Sequence, residues 1–195
     1  MSNFTYRLCK SNENEAVTDL FYANAEALCL PDRNAAAKIT EFIYAHGQVL
    51  GGYHNHKLVG ALGYFLGEPK QDFANNDLLY LYVGAILPEY QLTRLFYHGL
   101  LFILQMYQGT AVTHIQLQAE ENNPYTNKLY GRFAQPLAIE KSPRGVPVIT
   151  YGGSIEDAMA YLSRGKRPRP APTTPQQFYI EHRIRPYVQP HNWNL

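Results

Sequence analysis

Charge is scarce in this chain, and so are cysteine and tryptophan. Charged residues make up 17% of its 195 positions, against roughly 25% in ordinary globular proteins. The 17 Lys and Arg nearly cancel the 16 Asp and Glu, leaving a formal net charge of +1. That balance argues against a uniformly basic surface and against nucleic acid as the partner. Two cysteines, Cys9 and Cys29, are too few for a disulfide framework or a cysteine-based zinc site. Both sit among apolar neighbours and are expected to be free, packed thiols. No stretch reaches about 18 consecutive apolar residues, so no helical membrane span is expected. Residues 1–10 have no apolar run behind a positive start, which predicts no secretory signal and a cytoplasmic protein. Tyrosine occupies the space that charge leaves, with 16 Tyr against nine Phe and one Trp. At 46% hydrophobic residues the chain is neither disordered, a coiled coil nor collagen-like.

Residues 4–9 alternate large apolar with polar side chains and read as a strand. Ala16, Val17, Leu20, Phe21, Ala27 and Leu28 then recur at helical spacing, predicting one helix that Pro31 ends. A second helix is expected over 34–46, stopped by Gly47. Residues 48–53 and 57–66 read as a hairpin around the polar turn His54-Asn55-His56. A loop at 67–77 leads to a strongly apolar strand at 78–87, which Pro88 ends. A helix is predicted over 91–107 and a strand over 114–119. Pro124 opens a short helix to about Arg132, a strand follows at 145–151, and Ser154 caps a final helix over 155–162. This order specifies an α/β domain, a mixed sheet covered by helices on both faces. At residue 163 the composition changes to SRGKRPRPAPTTPQQ, a Pro-rich basic stretch that predicts an extended arm. The expected division is a domain over 1–162 and an arm over 163–195. Phe178, Tyr179, Ile180, Tyr187, Val188 and Trp193 give the arm apolar groups to pack on its own body or on a second copy as a homodimer.

Three stretches make residues 4–151 resemble the GNAT superfamily, the GCN-related N-acyltransferases. Residues 122–133, NNPYTNKLYGRF, resemble the family's Asn-x-x-small-x-x-Leu-Tyr segment, with Asn123, Leu129 and Tyr130 at the matching places. The resemblance implies Tyr130 as the general acid that protonates the leaving thiolate, the phenol keeping its proton to a pKa of about 10. It implies Asn123 as a contact to the donor's pantetheine arm. Residues 80–90, YLYVGAILPEY, look like the family's fourth strand, whose backbone pairs with pantetheine amides. Val83, Gly84 and Ala85 would be the donor contacts, with Gly84 suited to a bulge. The third stretch, Gln91-Leu-Thr-Arg-Leu-Phe96, stands where the family carries Gln/Arg-x-x-Gly-x-Gly/Ala for the pyrophosphate. Gln91 matches, but Arg94 and Phe96 replace the small residues, leaving Thr93 and Arg94 to meet a phosphate by side chain.

The resemblance implies an N-acyltransferase that uses acetyl-CoA or another acyl-CoA, or an acyl phosphopantetheine on an acyl carrier protein. The acceptor would be an amine on a small molecule, peptide or protein, and no metal is required. Glu120, at the end of the fifth strand, is the candidate base for the amine proton, with His114 as a weaker alternative. Tyr80, Tyr82, Phe96 and Phe102 are expected to line the acyl site. The alternative is a catalytically silent GNAT-fold binding or regulatory module, which the altered Gln91–Phe96 loop leaves open. His54 and His56 read as a solvated turn rather than a metal pair.

Overall fold

The computed structural model describes residues 4–91, 93–142 and 145–164. They fall into two compact units, 4–112 and 113–164. The arm predicted over 163–195 lies outside the described residues from position 165 onward.

The first unit is built on four antiparallel strands: β1 (Phe4–Leu8), β2 (Gln48–His54), β3 (Lys57–Leu66) and β4 (Leu78–Ile86). β2 and β3 meet across Asn55-His56, both at positive φ (49° and 66°), the combination of a tight type I′ hairpin turn. Alternation along β2 sends Val49, Gly51 and Tyr53 to one face and Leu50 and Gly52 to the other. Helices α1 (Asn14–Tyr22) and α3 (Arg33–His46) cover the first face. Their Val17, Leu20, Phe21 and Ile43 pack with Val49, Phe65 and Tyr80 into a buried core. Helix α4 (Leu95–Tyr107) covers the second face. It comes close where the strands have no side chains, since a Cβ on Gly52 or Gly60 would meet Leu95 at 3.0 and 2.9 Å.

Two helix expectations need correcting. The single helix predicted up to Pro31 is broken into α1 and α2 (Ala25–Leu28). Asn24 donates from Nδ2 to the Leu20 carbonyl at 3.0 Å, a side-chain competitor for helix hydrogen bonding. Cys29, at φ 58°, then ends α2 ahead of the proline. The helix predicted from Gln91 begins at Leu95, after a short 3-10 turn at Pro88–Tyr90. α3 starts beside its expected place because Asp32 caps it, its carboxylate accepting from the Ala35 N–H at 2.8 Å.

The second unit holds β5 (His114–Glu120), α5 (Pro124–Tyr130), β6 (Gln135–Lys141), β7 (Pro147–Ser154) and α6 (Ile155–Arg164). β7 pairs antiparallel with β5 on one side and β6 on the other. The sequence leaves one or two strands open after the Pro124 helix, and β6 makes them two. Pro136 at its second position and an unpaired Leu137 in its register hide the alternation. Ser154 caps α6 as predicted, accepting from the Asp157 N–H at 2.9 Å.

Candidate active site

β4 carries a bulge. Gly63 pairs with Val83 and Tyr64 with Leu81, so Tyr82 is an extra residue between them. The bulge was expected at Gly84 and lies two residues earlier; Gly84 itself pairs with Leu62. Skipping a partner puts Tyr82 and Val83 both against the α1–α3 core. Tyr82 packs on Phe65 and Phe42, at ring separations of 5.1 and 6.0 Å. Burial pushes its phenol up to about 12. Val83 is half-buried, Ala85 buried and Gly84 exposed. A Cβ on Gly84 would meet nothing closer than Leu62 Cδ1 at 3.5 Å, so packing does not demand glycine there.

The four aromatics expected to line one acyl site do not share a surface. Tyr80 and Tyr82 belong to the α1–α3 side. Phe102 packs on Tyr6 from α4, rings 5.9 Å apart, and Tyr6 donates to the Leu95 carbonyl on that same face at 3.1 Å. Alternation in β4 and the position of α4 across the sheet separate them.

Gln91, Thr93 and Arg94 lie in the loop between the 3-10 turn and α4. Gln91 is exposed and donates weakly from Nε2 to the Ile86 carbonyl at 3.4 Å. Thr93 Oγ1 donates to the Tyr90 carbonyl at 2.6 Å and accepts from the Leu95 N–H at 3.2 Å. Arg94 is exposed. Tyr90 is held by its ring: its hydroxyl meets His54 Nδ1 at 3.1 Å, and Phe4 stands edge-on 6.1 Å away. His54 is thus a support for this loop, a role its place in a polar turn did not suggest.

In the second unit, the α5 segment is organised by a residue that sequence reasoning passed over. Asn127 donates from Nδ2 to the carbonyls of Glu120, Glu121 and Asn123, at 2.7, 3.2 and 2.8 Å. Its Oδ1 accepts from the Tyr151 hydroxyl at 2.9 Å. One side chain therefore joins the end of β5, the first turn of α5 and β7. The signal was present, because asparagine inside a short helix favours local backbone bonds. Asn123 caps α5, its Oδ1 accepting from the Thr126 N–H at 3.1 Å. Tyr130 is buried at the end of α5, 6% exposed, with ring contacts to Tyr151 at 5.7 Å and Phe133 at 6.2 Å. Burial, and secondarily Tyr151, raises its phenol above the usual range, so it is protonated at neutral pH. Glu120 is half-buried at the end of β5 next to α5. His114 begins that strand, six residues away, or about 20 Å along it. The geometry of β5 thus sets His114 apart from the α5 segment. No three His, Cys, Asp or Glu side chains gather into a metal-binding group among the described residues.

Solved structures resemble this chain throughout most of its length. The ribosomal-protein-S18-alanine N-acetyltransferase from Escherichia coli is 15% identical, at a TM-score of 0.60 over 78% of this chain and 94% of that one. RimL, a ribosomal L7/L12 α-N-protein acetyltransferase solved in complex with coenzyme A, is 14% identical, at 0.61 over 81% and 97%. The chain has the GNAT fold. YncA from Salmonella typhimurium, solved with its cofactor acetyl-CoA, is 15% identical, at 0.60 over 79% and 95%. No family profile and no curated sequence matches the chain. The GNAT likeness is therefore carried by backbone, and by the few motif positions already placed above.

Proposed function

We propose that this chain is an N-acyltransferase that moves an acyl group from a pantetheine thioester to an amine. The observation that carries the reading is the bulged β4 inside a GNAT fold, with Gly84 exposed and not required by packing. Backbone groups of Val83, Gly84 and Ala85 hold the pantetheine amides. The amine nitrogen attacks the thioester carbonyl; its proton passes to the Glu120 carboxylate, directly or through water. As the tetrahedral intermediate collapses, the C–S bond breaks and the Tyr130 hydroxyl donates to the sulfur. Burial raises the phenol pKa, which weakens it as an acid, so its contribution is a hydrogen bond to the sulfur that strengthens as charge develops there. Full transfer leaves a phenolate, which recovers the proton released by the amine. The acceptor class is an amine on a small molecule, peptide or protein; one compared structure acts on a ribosomal-protein alanine by its name. The protein is read as cytoplasmic; no helix among the described residues is long and apolar enough to cross a membrane.

A second reading, a catalytically silent binding module, is favoured by one observation: Arg94 and Phe96 stand where the family's loop has small residues. Titration calorimetry with acyl thioesters separates the two. Binding of any pantetheine thioester supports transfer, and no binding of any of them leaves the silent module. Tyr130→Phe tests the acid role. It keeps the ring packing and is expected to lower kcat about 100-fold or more, with donor affinity unchanged. Unchanged turnover removes Tyr130 from the mechanism.

A further inference from the structure

The turn that leaves β4 takes its place from rings on neighbouring strands. Leu87 closes the strand, its N–H donating to the Val59 carbonyl on β3 at 2.9 Å. The bonds that follow are local. The Tyr90 N–H donates to the Leu87 carbonyl at 2.8 Å, and the Thr93 N–H to the Tyr90 carbonyl at 3.1 Å. That Tyr90 carbonyl also accepts from Thr93 Oγ1 at 2.6 Å. Thr93 Oγ1 in turn accepts from the N–H of Leu95, the first residue of α4, at 3.2 Å. Bonds between near neighbours fix the shape of a turn and leave its placement to other groups. The Tyr90 side chain supplies placement. Its hydroxyl lies 3.1 Å from His54 Nδ1, with the rings edge-on at 5.5 Å. Phe4 stands 6.1 Å from Tyr90 and 5.5 Å from His54. His54 ends β2 and pairs with Phe4 on β1 and Lys57 on β3, so its backbone belongs to the sheet. Either tautomer keeps the link, because the phenol donates to a bare Nδ1 and accepts from a protonated one. A chain of contacts thus runs from His54 through Tyr90 and Thr93 to the start of α4. Arg94 sits within it. Its side chain is exposed, and among the described residues it forms no ion pair.

We propose that His54 and Tyr90 are positioning residues for the donor, and that their hydrogen bond sets where Arg94 meets the phosphate-bearing end of an acyl-CoA. The inference rests on the acyl-transfer reading above and adds to it two residues that touch no substrate. The turn follows directly on the strand that carries Val83, Gly84 and Ala85, so its placement decides what a donor lying along β4 meets next. An arginine binds phosphate by directed hydrogen bonds, which a displaced turn would misalign. Loss of the link therefore weakens the phosphate contact and leaves pantetheine recognition along β4 intact.

The test titrates the full chain and its variants with octanoyl-CoA and octanoyl-pantetheine. The unaltered chain is expected to bind octanoyl-CoA about tenfold tighter or more, through the charge-assisted contact at Arg94. Tyr90→Phe keeps the ring and loses the hydroxyl; His54→Leu loses the imidazole. Each should weaken octanoyl-CoA by about fivefold to tenfold, the worth of one hydrogen bond, and leave octanoyl-pantetheine within about twofold. His54→Asn, which keeps a polar atom near the place of Nδ1, should recover most of the loss. Once Arg94→Ala is in place, adding Tyr90→Phe should cost octanoyl-CoA nothing further. Equal weakening of both thioesters makes the pair merely structural and overturns the inference. So do an unchanged affinity for octanoyl-CoA, additive losses in the double variant, or an unaltered chain that binds the two thioesters alike. His54→Asn as weak as His54→Leu overturns the part given to the hydrogen bond. All of these leave acyl transfer standing. Failure of the unaltered chain to bind either thioester removes the acyl-transfer reading itself, and this inference with it.

Discussion

Asn127 fills four hydrogen-bonding roles with one amide, and the β5–α5 corner depends on it. Replacing it by alanine removes all of these side-chain bonds at once, while the Glu120 and Asn123 carbonyls keep the Asn123 and Asn127 N–H groups at 3.0 and 3.1 Å. We expect Asn127→Ala to destabilise the protein by about 2–3 kcal/mol, read from urea midpoints. A shift under 0.5 kcal/mol would show that the corner is held by its other contacts. At the other end of the chain, Glu13 is gripped by Arg7 through two bonds of 2.7 and 2.8 Å, and accepts from the Lys10 N–H and the Tyr53 hydroxyl. Arg7 foremost holds the Glu13 carboxyl down to about 2. A folded pKa below the unfolded value means stability present above the unfolded carboxylate range, near pH 4–5, and lost as pH falls toward 2. The gap in urea midpoint between the parent chain and Glu13→Gln should therefore be constant from pH 7 to 5 and close progressively below pH 4. A gap that persists at pH 2 contradicts the linkage. The Cys9 thiol, buried 3.3 Å from the Tyr53 hydroxyl, fits the expected packed cysteine.

Elements were legible from the chain where a local rule decided them. The hairpin turn, the Ser154 cap and the Pro124 helix start all rest on residues within three positions of their effect. The failures arose where a distant partner or a competing side chain decided the outcome. Asn24 divides a continuous apolar period, Thr93 delays α4, and the bulge at Tyr82 is defined only against β3. β6 is a strand because β7 pairs with it, despite Pro136 and the exposed Leu137. Two predictions belong at this scale. Gly84→Val should leave the thermal midpoint nearly unchanged, since open contact surrounds that position, while weakening octanoyl-pantetheine binding at least tenfold. Equal binding by the variant would remove β4 from donor recognition. Gly60→Val meets Leu95 across the sheet instead, and should cost about 1–3 kcal/mol by separating α4 from its strand. An unfolding midpoint equal to the parent's would show that Leu95 can move aside.

Across the whole molecule, the near-zero net charge is a sum of unlike parts. Residues 1–162 hold 11 basic and 15 acidic groups, a net of −4, and residues 163–195 hold six and one, a net of +5. Truncation after residue 164 should leave an anionic protein at pH 7. If the arm's aromatics pack on the body or on a second copy, it should also lower the thermal midpoint or change the sedimentation coefficient; both unchanged would refute that packing. Composition, periodicity and the Leu129-Tyr130 motif were enough to specify an α/β chain of the GNAT type. They act through hydrophobic spacing and backbone preference, which are properties of short segments. Which face Tyr82 and Phe102 take and where β4 bulges arise from partners far along the chain. Those partners meet only after folding, and they are what bear on the donor.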